Sequence, residues 1–104
     1  MSLQDIQKEV HTWISQYKEG YWQPLEMLAR LTEETGELAR EINNRFGPKK
    51  KKSTEELKEV GDEIGDILFT LACIANSQNI NLEECFKRTM EKYYNRDKDR
   101  FEKK

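Results

Sequence analysis

Several common routes to chemistry are closed to this 104-residue chain by what it lacks. It has a single histidine, His11, with Lys8 three residues before it. A Glu-x-x-His metal pair of the kind found in di-iron bundles is therefore excluded, and His11 is expected on the surface. The two cysteines, Cys73 and Cys85, stand at no metal-ligand spacing. Each falls within an apolar helical pattern, which predicts packing thiols in a reducing compartment and so a cytoplasmic protein. There is no Gly-rich phosphate loop, nucleophile elbow or Cys/His pair. No apolar run is long enough to span a bilayer, and no basic segment leads into an apolar one, so neither membrane insertion nor a secretory signal is expected. An excess of one charge is also missing: the net charge of −2 gives no pull toward nucleic acid or an anionic membrane. Apolar residues are scarce at 36%, too few for a chain that must bury everything by itself, which predicts association with another copy.

What is present is helical period, and no stretch alternates as a strand would. A first helix is predicted from Ser2 to Glu19, with Leu3, Ile6, Val10, Trp13, Ile14 and Tyr17 as its stripe and Gly20 as its stop. A second runs from Pro24 to Arg45, with Leu25, Leu28, Leu31, Leu38 and Ile42 inward, and ends at Gly47-Pro48. A third opens at Ser53, with Glu56 in capping-box register, and continues to Ser77 along Leu57, Val60, Ile64, Ile67, Leu68, Leu71, Ile74 and Ala75. A fourth starts at Asn81, with Glu84 three residues on, carries Leu82, Phe86, Met90 and Tyr93 inward, and frays near Phe101. Short connections favour an all-α, four-helix up-down bundle over residues 1–104, a single domain completed by homo-oligomerisation. The run Lys49 to Lys52 reads as a solvated linker.

Two acidic pairs share one frame on the second and third helices. Glu34 and Glu37 lie in Leu31-Thr-Glu-Glu-Thr-Gly-Glu-Leu38, and Glu63 and Asp66 in Val60-Gly-Asp-Glu-Ile-Gly-Asp-Ile67. Each first acid has an apolar residue three before it and another four after it, positions that share a helical face. The acids therefore border the apolar stripe, whereas Glu33, Glu41, Glu55, Glu56 and Glu59 are expected in solvent. Side chains at i and i+3 have Cβ atoms about 5–6 Å apart, so each pair can grip one ion from one helix. Two such charges about 5 Å apart repel by roughly 3 kcal/mol at an effective dielectric of ~20, and a cluster of them calls for a cation. An all-oxygen donor set predicts Mg²⁺ or Mn²⁺. On the residues alone, a non-catalytic helical interaction module with an acidic metal- or partner-binding face stands as the rival to an enzyme.

The run Glu33-Glu34-x-x-Glu37, followed by Glu63-x-x-Asp66, resembles the signature of the MazG-type nucleoside triphosphate pyrophosphohydrolases of the all-α superfamily. Glu-Thr-Gly-Glu-Leu-Ala and Glu-Ile-Gly-Asp-Ile-Leu-Phe are similar to that family's phrasing, and the likeness runs from about Trp22 to Phe101. The resemblance implies hydrolysis of a (d)NTP to the monophosphate and pyrophosphate, in nucleotide-pool housekeeping, with Mg²⁺ held by Glu34, Glu37, Glu63 and Asp66. Glu33 matches the family's first acid and is expected to orient water or a partner of the metal ligands. Lys92 and Arg96 resemble a late Lys-x-x-x-Arg pair that contacts phosphate, with Asn95 and Asp97 beside them. Trp22 falls where related enzymes stack an aromatic on the base, although core packing would equally explain it. Some members carry two such domains, whereas this chain has one set of acids, so a homodimer or homotetramer is expected. The apolar first helix and the late aromatics are the candidate contacts, and Trp13, Tyr17 and Tyr21 read as bundle core or interface.

Overall fold

The computed structural model describes residues 1–48 and 59–104, in four helices: α1 (Leu3–Ile14), α2 (Pro24–Phe46), α3 (Val60–Ser77) and α4 (Leu82–Arg96). No strand occurs among the described residues. The expected Ser53–Glu56 cap, Leu57, Glu55 and the Lys49–Lys52 run lie outside them.

Local chemistry sets the helix ends. Ser2 caps α1 reciprocally: its Oγ accepts from the Asp5 amide, and the Asp5 carboxylate accepts from the Ser2 amide, both at 3.0 Å. The helix stops at Ile14, short of the predicted Glu19, because beyond Ser15 the amides of Gln16 and Tyr17 bond three residues back, to Trp13 and Ile14. Gly20, at φ 68, then reverses the chain. Pro24 opens α2 at a position where its missing N–H is no loss. Glu59 is extended (φ −83, ψ 141), so α3 begins at Val60 and the predicted continuous helix from Ser53 does not form across Glu59. Asn81 caps α4, its Oδ1 accepting from the Glu84 amide at 3.2 Å.

Helix α3 is the centre of the packing. It lies antiparallel to α2, with Arg45 near the end of α2 reaching Glu59, just before α3, at 3.3 Å. It lies antiparallel to α1 as well, with Gln7 bonded to Asn76 and Trp13 edge-on to Phe69 at 5.8 Å. The core is Val10, Met27, Ala72 and Cys73, with Ile6, Ile14, Tyr21, Phe69, Ile74 and Leu82 packed against it. Helix α4 rests chiefly on α1.

The rotation of α2 about its axis departs from the sequence reading. Met27, Glu34 and Glu41, seven residues apart, form the buried row. Leu25, Leu28 and Ile42, expected inward, are exposed instead, Leu25 at 79% and Leu28 at 54%. Glu41, expected in solvent, is buried for the same reason: it sits two turns beyond Glu34 on the inward row. On α3, Ile64 and Leu71 are likewise exposed, as are Phe86 and Tyr93 on α4 and Trp13 and Tyr17 near α1. Periodicity places these apolar residues on shared faces, but part of each face points away from this chain's own described residues.

Candidate metal centre

Because α2 and α3 run antiparallel, the acidic frame at the middle of α2 meets the one in the opening turns of α3. Glu34, Glu37 and Glu63 each present a carboxylate oxygen within 4.8 Å of the other two. Glu63 is 0% exposed and Glu34 6%, with Glu37 half-buried. Asp66, one turn on from Glu63, is exposed but close enough for its charge to act on Glu34. Glu33 lies in solvent on the outer side of α2.

The electrostatics of Glu34 record the crowding. Burial raises its carboxyl pKa most, and the charges of Glu37 and Asp66 add to that. Arg30 opposes them, its Nε donating to Glu34 Oε1 at 3.0 Å across one turn of α2. The second oxygen, Oε2, is buried without a hydrogen-bond partner. A dehydrated carboxylate with a spare lone pair, facing two further acids, fits a hard divalent cation that binds oxygen. Thr70, also buried, turns its hydroxyl back to the Asp66 carbonyl at 3.0 Å and adds no charge.

Beside the cluster opens a pocket of about 300 Å³, lined mainly by apolar and aromatic groups: Trp13, Tyr17, Tyr21, Trp22, Met27 and Phe69, with Arg30, Thr70 and Cys73. Arg30 and Thr70 stand one turn from Glu34 and Asp66, so pocket and acids adjoin. Trp22, which the sequence left between stacking and core, lies on the pocket wall with the Arg30 guanidinium 5.8 Å from its ring. Burial pushes the Cys73 thiol pKa up against the influence of Arg30, keeping it a packing group rather than a nucleophile. His11 is exposed as expected, but engaged: its Nδ1 is 2.7 Å from the Tyr21 hydroxyl.

The phosphate candidates fall elsewhere within one chain. Lys92, Asn95 and Arg96 are exposed on α4, away from the α2–α3 cluster. Lys92 Nζ sits 5.1 Å from the Tyr93 ring, and Arg96 holds both oxygens of Asp97 at 3.1 and 3.2 Å. Sequence reasoning passed over Arg30, Met27, Phe69 and Thr70. The i,i+4 spacing of Arg30 and Glu34 was the available signal for the first.

The MazG nucleotide pyrophosphohydrolase domain matches residues 23–101. The chain belongs to the MazG nucleotide pyrophosphohydrolase family. Within that family it resembles YpjD of Bacillus subtilis, 57% identical over 103 residues covering 99% of this chain and 93% of YpjD. YvdC of the same organism is 31% identical over 102 residues, covering 88% and 92%. The crystal structure of B. subtilis YpjD superposes with a TM-score of 0.80, covering 89% of this chain and 95% of that one. A Bacillus-conserved MazG protein, a nucleotide pyrophosphohydrolase, superposes equally well at 0.80 with 47% identity, over 95% and 96%. The match spans both acidic frames and α4, so this MazG chain has the all-α architecture of its relatives across the whole candidate centre.

Proposed function

We propose that the protein is a Mg²⁺-dependent pyrophosphohydrolase that converts a (d)NTP to the (d)NMP and pyrophosphate, acting in the cytoplasm as a homodimer or homotetramer to limit unwanted nucleotides. The observation that carries this reading is the convergence of Glu34, Glu37 and Glu63 oxygens within 4.8 Å on two antiparallel helices, beside an aromatic pocket. Glu34, Glu37, Glu63 and Asp66 hold the ion; Mn²⁺ suits the same oxygens. Bound there, the ion supplies Lewis acidity toward phosphoryl oxygens and lowers the pKa of water.

The chain's own side chains account for the rest. A triphosphate carries about four negative charges and cannot approach bare carboxylates, so these acids admit substrate only as its metal complex. Trp22 and its aromatic neighbours take the planar base, excluding water from the pocket end of the nucleotide. Glu33 stands outside the cluster with its carboxylate in solvent, and its part is to orient water or a partner of the metal ligands. Lys92, Asn95 and Arg96 serve the phosphates from α4. Within one chain that helix lies off the cluster, so this role falls to α4 in the assembly.

Replacing Glu37 or Asp66 with alanine is expected to lower turnover at least about a thousandfold while the helical circular dichroism stays nearly unchanged, since neither side chain belongs to the apolar core. Turnover within tenfold of the parent in either variant would remove that acid from the metal set.

A further inference from the structure

Arg30 occupies the seam between the aromatic pocket and the acids. Its guanidinium lies 5.8 Å from the Trp22 ring, and its Nε is bound to Glu34 Oε1 at 3.0 Å. Its side chain is 43% exposed, so a ligand entering the pocket can reach it. The bond to Glu34 uses Nε, which leaves the two terminal nitrogens of the fork for a second anion. Within one chain the α4 cations lie elsewhere, Arg96 on both oxygens of Asp97 and Lys92 against Tyr93, so Arg30 is the cation at this seam that lines the pocket.

We infer that Arg30 is a nucleotide-binding residue positioned by Glu34. Through Nε it neutralises part of the buried charge that the carboxylates bring together. Its two terminal nitrogens receive the phosphate chain while its face remains near Trp22. The residue thereby couples the two halves of the site, one edge of the guanidinium on the acids and the other on the phosphates. This inference rests on the triphosphate reading above.

Two substitutions separate this role from a plain ion pair. Arg30→Met keeps the stem and removes the charge; Arg30→Lys keeps the charge and loses the fork. Calorimetry first measures Mn²⁺ alone, then inorganic triphosphate at a fixed free Mn²⁺ concentration, a probe that needs no choice of base. Arg30→Met is expected to bind Mn²⁺ about two- to fivefold more tightly, having lost a competing cation, and triphosphate at least about tenfold more weakly. Arg30→Lys should recover part of the triphosphate affinity. Triphosphate binding unchanged in Arg30→Met, or Mn²⁺ and triphosphate weakened in parallel, would overturn the role. If the parent protein itself binds no triphosphate with Mn²⁺, the triphosphate reading falls as well; unchanged binding in the variant sinks the Arg30 role alone.

Discussion

Glu34 and Glu63 give up nearly all their water when the chain folds, and the consequence is measurable as a linkage between proton, metal and stability. Burial, Glu37 and Asp66 raise the Glu34 pKa above its ordinary 4.5, against Arg30. A raised folded value means that the folded chain holds this proton more tightly than the unfolded one. The stability it confers is complete below about pH 4.5 and is lost as pH climbs through the folded value. Metal and proton compete for the same oxygens, so Mg²⁺ acts in the opposite sense. Thermal melts should therefore show a Mg²⁺-induced rise in Tm that is large near pH 7.5 and shrinks as pH falls toward the carboxylate range. In Glu34→Gln the rise should be nearly absent, while the EDTA-treated variant melts a few degrees above the parent because a buried like charge is gone; about 1 kcal/mol corresponds to roughly 4–8 °C at this size. A Mg²⁺ effect independent of pH, or intact in Glu34→Gln, would place the ion elsewhere.

At the scale of elements, the fold depends on how α1 is fastened to the turn between α3 and α4. Gln7 makes the fastening: Nε2 donates to Asn76 Oδ1 at 2.9 Å and to the Ile80 carbonyl at 2.8 Å, and Oε1 accepts from the Leu82 amide at 2.8 Å. Asn76 Nδ2 returns a bond to the Gln7 carbonyl at 2.9 Å. Gln7→Ala removes two part-buried bonds and one exposed bond, each worth about 1 kcal/mol net or less, so the expected loss is about 2 kcal/mol. Hydrogen exchange should quicken first at the Leu82 amide and the opening turn of α4, with the α2–α3 pair less affected. Uniform loss of protection across all four helices would contradict a local latch.

The existence and order of these helices were legible from apolar spacing, and α2 was bounded almost to the residue by Pro24 and Gly47. Of the four acids in the two frames, Glu34, Glu37 and Glu63 come together, while Asp66 stays exposed one turn on. Two things were not legible. A 3.6-residue period says which side chains share a face, yet it cannot say whether that face meets this chain or another. Hence the row Met27, Glu34, Glu41 turned inward while Leu25, Leu28 and Ile42 stayed out. The pocket was also hidden, because it joins Trp13, Trp22 and Phe69 from three separate stretches of chain.

For the whole molecule, the radius of gyration is 17.2 Å, against roughly 13 Å for a compact chain of this length. The spread leaves α4 resting on α1 and one apolar row of α2 uncovered. Leu28, Thr35 and Ile42 repeat at seven residues beside the acidic row, as a helix does when a second helix packs along it. Leu28→Asp should therefore convert an assembled species to monomer in sedimentation at micromolar concentration, and lower turnover with it. A parent protein that sediments as a monomer would count against association of copies.

A pyrophosphohydrolase is defined by where the phosphate chain is cut. Incubating the protein with Mg²⁺ and a panel of dNTPs and NTPs, then resolving the products, measures this directly. Metal-dependent appearance of pyrophosphate and nucleoside monophosphate in equal amounts is the predicted result; orthophosphate with nucleoside diphosphate, or no hydrolysis of any nucleotide in the panel, would contradict it.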